Sequence, residues 1–176
     1  MRKLLIEELN RKSPAAYAAA EKLPLTVVLD NVRSLHNVGS VFRTADALLV
    51  ERLILCGITA CPPSAEIHKT ALGAEMCVGW EYEADTLAAV QRLNAEGYAV
   101  WAAEQVEGST PLQKFNYTGG KVAVVLGHEV YGVAQEVVDA CCGALEIPQF
   151  GTKHSLNVSV SAGIVMWEIA KKMMLC

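Results

Sequence analysis

Ile147 to Ile164 reads IPQFGTKHSLNVSVSAGI. It opens on the end of a short apolar strand, Leu145-Glu146-Ile147. Pro148 stops that strand, because proline has no amide hydrogen to give to a ladder. A polar run follows. Then apolar residues recur at helical spacing from about Val158 to Met173. Strand, polar loop, helix is the building unit of an α/β domain. Helix capping accounts for Asn157 as N-cap, with Ser159 and Ser161 as small packing residues. It does not account for the rest of GTKHSLN, residues 151–157, placed just ahead of an apolar helix.

The same unit recurs upstream. Ser13-Pro14 is an N-cap followed by proline at the first helical position, which predicts an Ala-rich helix to about Lys22. Leu25 to Leu29 is a buried-strand run ended by Asp30. After a polar loop, Val38, Val41, Phe42, Ala45, Leu48 and Leu49 recur at helical spacing. Arg52 to Cys56 is a second strand, closed by Gly57. Thr86 to Ala95 is a helix with Leu87, Val90 and Leu93 on one face and Gly97 as its stop. Tyr98–Ala103 and Val122–Leu126 are strands, and Val133–Cys141 is a helix. Pro62-Pro63 and Gly119-Gly120 are turns. The expectation is an α/β domain over residues 25–176, a largely parallel sheet with helices on both faces, preceded by a short helical extension at 1–24.

Composition narrows the function classes. The 176 residues are 52% hydrophobic and 19% charged, enough to bury about 70% of the unfolded chain's surface. No apolar run reaches the roughly 18–20 residues of a membrane span. The N-terminal MRKLLIEELNRK becomes charged too soon for a signal-peptide core, so a cytoplasmic protein is expected. None of the six cysteines forms a CxxC pair. They read as small hydrophobes, including Cys176, and no metal is expected. A net charge of −4 gives no electrostatic footprint for nucleic acid. Any such contact must rest on a local patch.

In open α/β sheets, ligands bind beyond the C-terminal ends of strands. Three such ends carry glycine with polar side chains. After the first strand, Asn37 is placed as an N-cap and Gly39 permits a ligand to approach the first helical turn. Arg43 leans back toward Asn37, where a cation opposes the helix dipole. An anion such as phosphate would resolve the conflict; a solvated surface arginine is the plain alternative. After the Val122 strand, Gly127 permits close backbone approach, and Glu129 is either a ligand contact or the start of the next helix. The absence of a following Lys-Ser/Thr excludes a P-loop. The third end is the stretch quoted at the outset.

Together the three segments resemble the SpoU (TrmH-like) branch of the SPOUT RNA methyltransferases. NVRSLHNVGSVFRTADA (31–47) resembles that family's motif 1, VLGHEVYGV (125–133) its motif 2, and IPQFGTKHSLNVSVSAGI its motif 3. Order and separation fit as well. The resemblance implies a C-terminal trefoil knot, S-adenosylmethionine as methyl donor, a homodimer, and 2′-O-methylation of a ribose in tRNA or rRNA. It assigns cofactor contacts to Leu126, Gly127, Ile147 and Leu156. It places Arg43, Asn37, Glu129, Ser155 and Asn157 in the catalytic set.

Motif 2 usually reads Asn-Glu-Gly; here it is His128-Glu129-Val130. A catalytically impaired RNA-binding relative is therefore the competing reading. The chemistry needs proximity, alignment and a base for the ribose hydroxyl. The resemblance implies that Arg43 loses a proton to act as that base, or orients the hydroxyl, with a substrate phosphate assisting; Glu129 as an orienting or proton-accepting group is the runner-up. Arg2, Lys3, Arg11 and Lys12 are candidate phosphate contacts, as are Arg33, Lys69 and Lys153. The last helix carries two apolar stripes, Val158/Ala162/Val165/Ile169/Met173 and Val160/Ile164/Trp167. One core needs only one of them, which predicts a second subunit.

Overall fold

The computed structural model describes residues 1–174, apart from the Ile6 side chain; Cys176 lies outside the described residues. In chain order the elements are α1 (Pro14–Ala19), β1 (Leu23–Asp30), α2 (Leu35–Ala47), β2 (Val50–Cys56), α3 (Ala65–Ala71), β3 (Gly79–Glu83) and α4 (Thr86–Ala95). They continue with β4 (Tyr98–Ala103), β5 (Thr110–Pro111), β6 (Lys121–Leu126), α5 (Gln135–Ala140), β7 (Gly143–Glu146) and α6 (Val158–Met174). The strands form one seven-stranded sheet in the order β3-β2-β1-β6-β4-β7-β5. Every pairing in it is parallel.

The central strands are largely apolar because both of their faces are covered. Leu25, Val27 and Leu29 of β1 and Val122, Val124 and Leu126 of β6 point into one core, which Val38, Val41 and Phe42 of α2 and Ala162, Val165 and Ile169 of α6 complete. Val28, Ala123 and Val125 point the opposite way, against Ala89, Val90 and Leu93 of α4 and Val137 of α5. The expected α/β sheet with helices on both faces is therefore present.

Topology sets the site. From β1 the chain winds outward to β2 and β3, whereas β6, β4, β7 and β5 lie on its other side. The order thus reverses between β1 and β6, where Leu29 pairs with Leu126. Such a switch point ordinarily opens a crevice beyond the strand ends; in this fold the cavity lies beside it, beyond β4, β6 and β7.

Several boundaries differ from the sequence expectation. α1 stops at Ala19, short of Lys22, because Ala20 is extended and the Lys22 ammonium turns back onto the Tyr17 and Ala20 carbonyls. Ser34, not Asn37, caps α2: its side chain accepts from the Asn37 amide at 3.3 Å. α5 is only six residues long, and β7 ends one residue before Ile147. Two elements carry little sequence signal. α3 is a short amphipathic turn behind Ser64, and β3 is an edge strand, WEYE after a glycine, with mostly exposed side chains.

Gly39 also differs from expectation. It is buried, and a Cβ there would sit 2.2 Å from Thr70 Oγ1 and 2.3 Å from the Ile67 carbonyl oxygen. Its bareness serves the packing of α2 on α3, not ligand approach. Gly39→Ala should therefore lower stability, although Gly→Ala inside a helix ordinarily gains about 1 kcal/mol. The clash is with backbone, so overpacking of about 1–3 kcal/mol wins. Thermal unfolding checks this: Tm should fall by several degrees, and a rise would refute the packing account.

Candidate active site

Glu129, in the loop after β6, reaches across to the loop after β1. Its Oε2 accepts from the Arg33 amide at 3.1 Å. Its Oε1 accepts from the Ser34 amide at 3.0 Å and from Asn37 Nδ2 at 3.2 Å. Asn37 Oδ1 in turn accepts from Asn157 Nδ2 at 3.2 Å. Asn157 Oδ1 then accepts from the Ser159 amide at 2.9 Å, the Ser159 hydroxyl at 2.7 Å and the Val160 amide at 3.4 Å, capping α6. Each amide has one possible orientation in this relay, because an ionised carboxylate can only accept. Burial pushes the Glu129 carboxyl up, but the hydrogen bonds it accepts outweigh this and hold its pKa below the usual carboxylate range.

The loop after β6 doubles back sharply. His128 and Gly132 exchange backbone hydrogen bonds of 3.0 and 2.9 Å. A Cβ on Gly127 would lie 2.2–2.3 Å from Gly132 and Val133 backbone atoms, so only glycine fits. His128 Nδ1 accepts from the Val130 amide at 3.0 Å and from the Tyr131 amide at 3.4 Å. This is the local bond an asparagine side chain makes to the backbone two residues on. It fixes the ring as the tautomer protonated on Nε2.

An open cavity of about 490 Å³ lies beyond β4, β6 and β7. Of the expected cofactor contacts, Leu126, Gly127, Ile147 and Leu156 all line it, as do Glu129 and Ser155. Asn37 and Asn157 do not line it but reach it through the relay to Glu129. Arg43 is exposed on α2 and makes no hydrogen bond or ion pair among the described residues. It is the ninth of thirteen helical residues, so the expected conflict with the N-terminal dipole, which fades within the first turn, does not arise. The lining contains Glu104, Glu129 and Glu146 but no Lys or Arg. Glu104 and Gln105, which follow β4, were not singled out by the sequence, since no glycine or motif marks them. Among the described residues, no cluster of three His, Cys, Asp or Glu is placed to hold a metal ion. The free Cys56 and Cys141 thiols are pushed up to about 12 by burial, as befits packing residues.

Residues 24–167 match the model of the SpoU rRNA Methylase family. The chain belongs to that family. It is 30% identical to a tRNA (guanosine(18)-2′-O)-methyltransferase of Thermus thermophilus, over 97% of this chain and 82% of that protein. It is 29% identical to a 23S rRNA (guanosine-2′-O-)-methyltransferase of Vibrio parahaemolyticus, over 94% of this chain and 66% of the relative. Among solved structures, the A. aeolicus TrmH/SpoU tRNA modifying enzyme superposes with a TM-score of 0.80 at 26% identity, covering 90% of this chain and 79% of that one. An AdoMet-bound rRNA methyltransferase of Sinorhizobium meliloti gives 0.80 at 29% identity, covering 89% and 59%.

Within this SpoU chain the motif 2 histidine replaces an asparagine without loss of the loop bond. His128→Asn should keep the Val130 and Tyr131 amides protected, whereas His128→Ala should expose them. One hydrogen bond is worth about 1 kcal/mol net, so their exchange by NMR should quicken roughly fivefold in the alanine variant. Equal exchange in all three proteins would refute the assignment.

Proposed function

We propose that this chain is an S-adenosylmethionine-dependent RNA methyltransferase that methylates a ribose 2′-hydroxyl in tRNA or rRNA. The observation that carries the reading is the cavity: acceptor groups and apolar walls at three adjoining strand ends, with no cation in the lining. That lining suits a ligand with a cationic centre beside an adenine. It disfavours the phosphates of a dinucleotide, which seek cations and helix N-termini.

The donor, when bound, supplies a methyl group already activated by its sulfonium. The protein's own residues then have three tasks. Leu126, Gly127, Ile147 and Leu156 hold the cofactor, and Ser155 faces the same space. Arg43 is free to meet a substrate phosphate and to orient the ribose hydroxyl or take its proton. Asn37, Asn157 and Glu129 position the loops around them. A carboxylate held below its usual range is a weaker base, so Glu129 is assigned to orientation.

The active reading is preferred to the impaired one because His128 makes the loop bond its missing asparagine would make. The C-terminal segment is taken to thread the family's knot. Residues 1–24 are an extension whose Lys3, Arg11 and Lys12 contact phosphate, while Arg2 is already paired with Glu8. The described residues contain no helix long and apolar enough to cross a membrane. The enzyme is proposed to act in the cytoplasm, on RNA there. Labelled methyl transfer from S-adenosylmethionine to total RNA of cells lacking this gene, with mapping of 2′-O-methyl sites, tests the function. S-adenosylhomocysteine binding without transfer would favour the impaired reading.

Arg43→Ala should change stability by no more than about 0.5 kcal/mol, as at other exposed sites. Transfer should fall by orders of magnitude while S-adenosylhomocysteine binding, measured by calorimetry, persists. A variant that transfers at the wild-type rate would remove Arg43 from the catalytic set.

The enzyme is also proposed to be a homodimer. On α6 the first stripe is buried apart from half-buried Met173, but Val160, Ile164 and Trp167 remain 51%, 38% and 54% exposed. A second copy would cover them. Sedimentation equilibrium at micromolar concentration should give twice the chain mass, and Trp167→Glu should shift the protein toward monomer. A wild-type monomer that binds cofactor would defeat this arrangement.

A further inference from the structure

Residues 149–156, which carry Ser155 and Leu156 into the cavity, have little to hold them. Nearly all are exposed, and they belong to no helix or strand. Among the described residues, the hydrogen bond that ties them to the rest of the fold is Gln105 Nε2 to the His154 carbonyl oxygen, at 2.9 Å. The residue before it ties down the opposite wall. Glu104 Oε2 accepts from the Val133 amide at 3.0 Å, where the loop after β6 ends, and its Oε1 accepts from the Gln105 amide at 2.8 Å. Gly132 leaves room for that carboxylate: a Cβ there would lie 2.1 Å from Glu104 Oε2. Glu104 itself is anchored to the sheet, its amide donating to the Leu145 carbonyl at 3.1 Å.

We infer that Glu104 and Gln105 are positioning residues, a two-residue latch at the end of β4 that sets the spacing between the two loops enclosing the cofactor. This rests on the methyltransferase reading for its ligand, but not for its geometry. Glu104 holds the loop after β6 from one side through an acceptor. Gln105 holds the loop after β7 from the other through a donor. Both start from one short stretch of backbone, so the two walls cannot move apart independently. The latch acts through the loops, not on the reacting atoms. It should therefore govern how tightly the cofactor is held, and not how fast the methyl group moves once it is bound.

The test compares Gln105→Ala, Gln105→Glu and Glu104→Gln with the full wild-type chain. Gln105→Glu keeps the size and removes the donor. In Glu104→Gln one oxygen becomes an NH₂ group, which faces an amide donor in either orientation. Each variant should weaken S-adenosylhomocysteine binding by roughly three- to tenfold, the worth of one hydrogen bond. KM for S-adenosylmethionine should rise in step, with kcat at saturation within about twofold, the split expected when binding common to ground and transition states is lost. Without ligand, hydrogen exchange across 148–157 should quicken in both Gln105 variants. Wild-type affinity in Gln105→Ala, or in Gln105→Glu alone, would overturn the latch, the second by showing that size and not donation matters. So would a fall in kcat at unchanged KM. If the wild type itself binds no S-adenosylhomocysteine, the methyltransferase reading fails instead. The exchange arm then judges the latch alone: faster exchange upholds it, and unchanged exchange ends it.

Discussion

An ionised carboxylate cannot donate a hydrogen bond, and the site depends on that restriction. Glu129 faces two backbone amides and one side-chain amide, all of them donors. Its charge therefore orients Asn37, Asn37 orients Asn157, and Asn157 spends its remaining oxygen on the first turn of α6. Three segments far apart in the chain are brought into one register by a single acceptor-only group. Glu104 applies the same rule to the far end of the loop after β6. Two anions on neighbouring strand ends thus define a turn that has almost no apolar packing of its own. The glycines at 127 and 132 make this possible by leaving space for backbone in one case and for carboxylate in the other.

Charge is divided across the site. Inside the cavity the formal charges are carboxylates. Outside it, Arg33, Arg43 and Lys153 are exposed and make no ion pair among the described residues. Lys69 is engaged by Glu66. Under the proposed function, a cationic donor would meet the first surface and an anionic polymer the second. That arrangement would let a chain of net charge −4 hold RNA by local neutralisation.

Much of this was legible in the residues. The central strands announce themselves because burial on both faces leaves no polar alternation, and α4 and β4 fall at their expected bounds because Asp85 and Gly97 mark the ends of the helix. The edge strand β3 was illegible for the converse reason: with a single neighbouring strand it carries exposed Trp80 and Tyr82 and half-buried Glu81 and Glu83. Asn37 was recognised as important but given the wrong duty. A cap and a relay member are both asparagines near a helix start, and only the position of Ser34 separates them. Gly39 misled in the same way, since close approach by a ligand and by a neighbouring helix demand the same missing Cβ. Glu104 and Gln105 could not be found from sequence at all. Their partners, Val133 and His154, are 29 and 49 positions away and contribute only backbone atoms, which leave no trace in side-chain pattern.

The relay joins Asn37 to Glu129 across 92 positions and to Asn157 across 120. A chain emerging from the ribosome therefore carries Arg43 and the whole of β1 to β4 long before anything can fix Asn37. The site closes only when α6, which follows every strand of the sheet, docks against α2. Unfinished chains and products truncated before α6 thus contain most of the sheet without an assembled cap for the cofactor crevice. Synthesis must therefore run through α6 before the crevice has its cap.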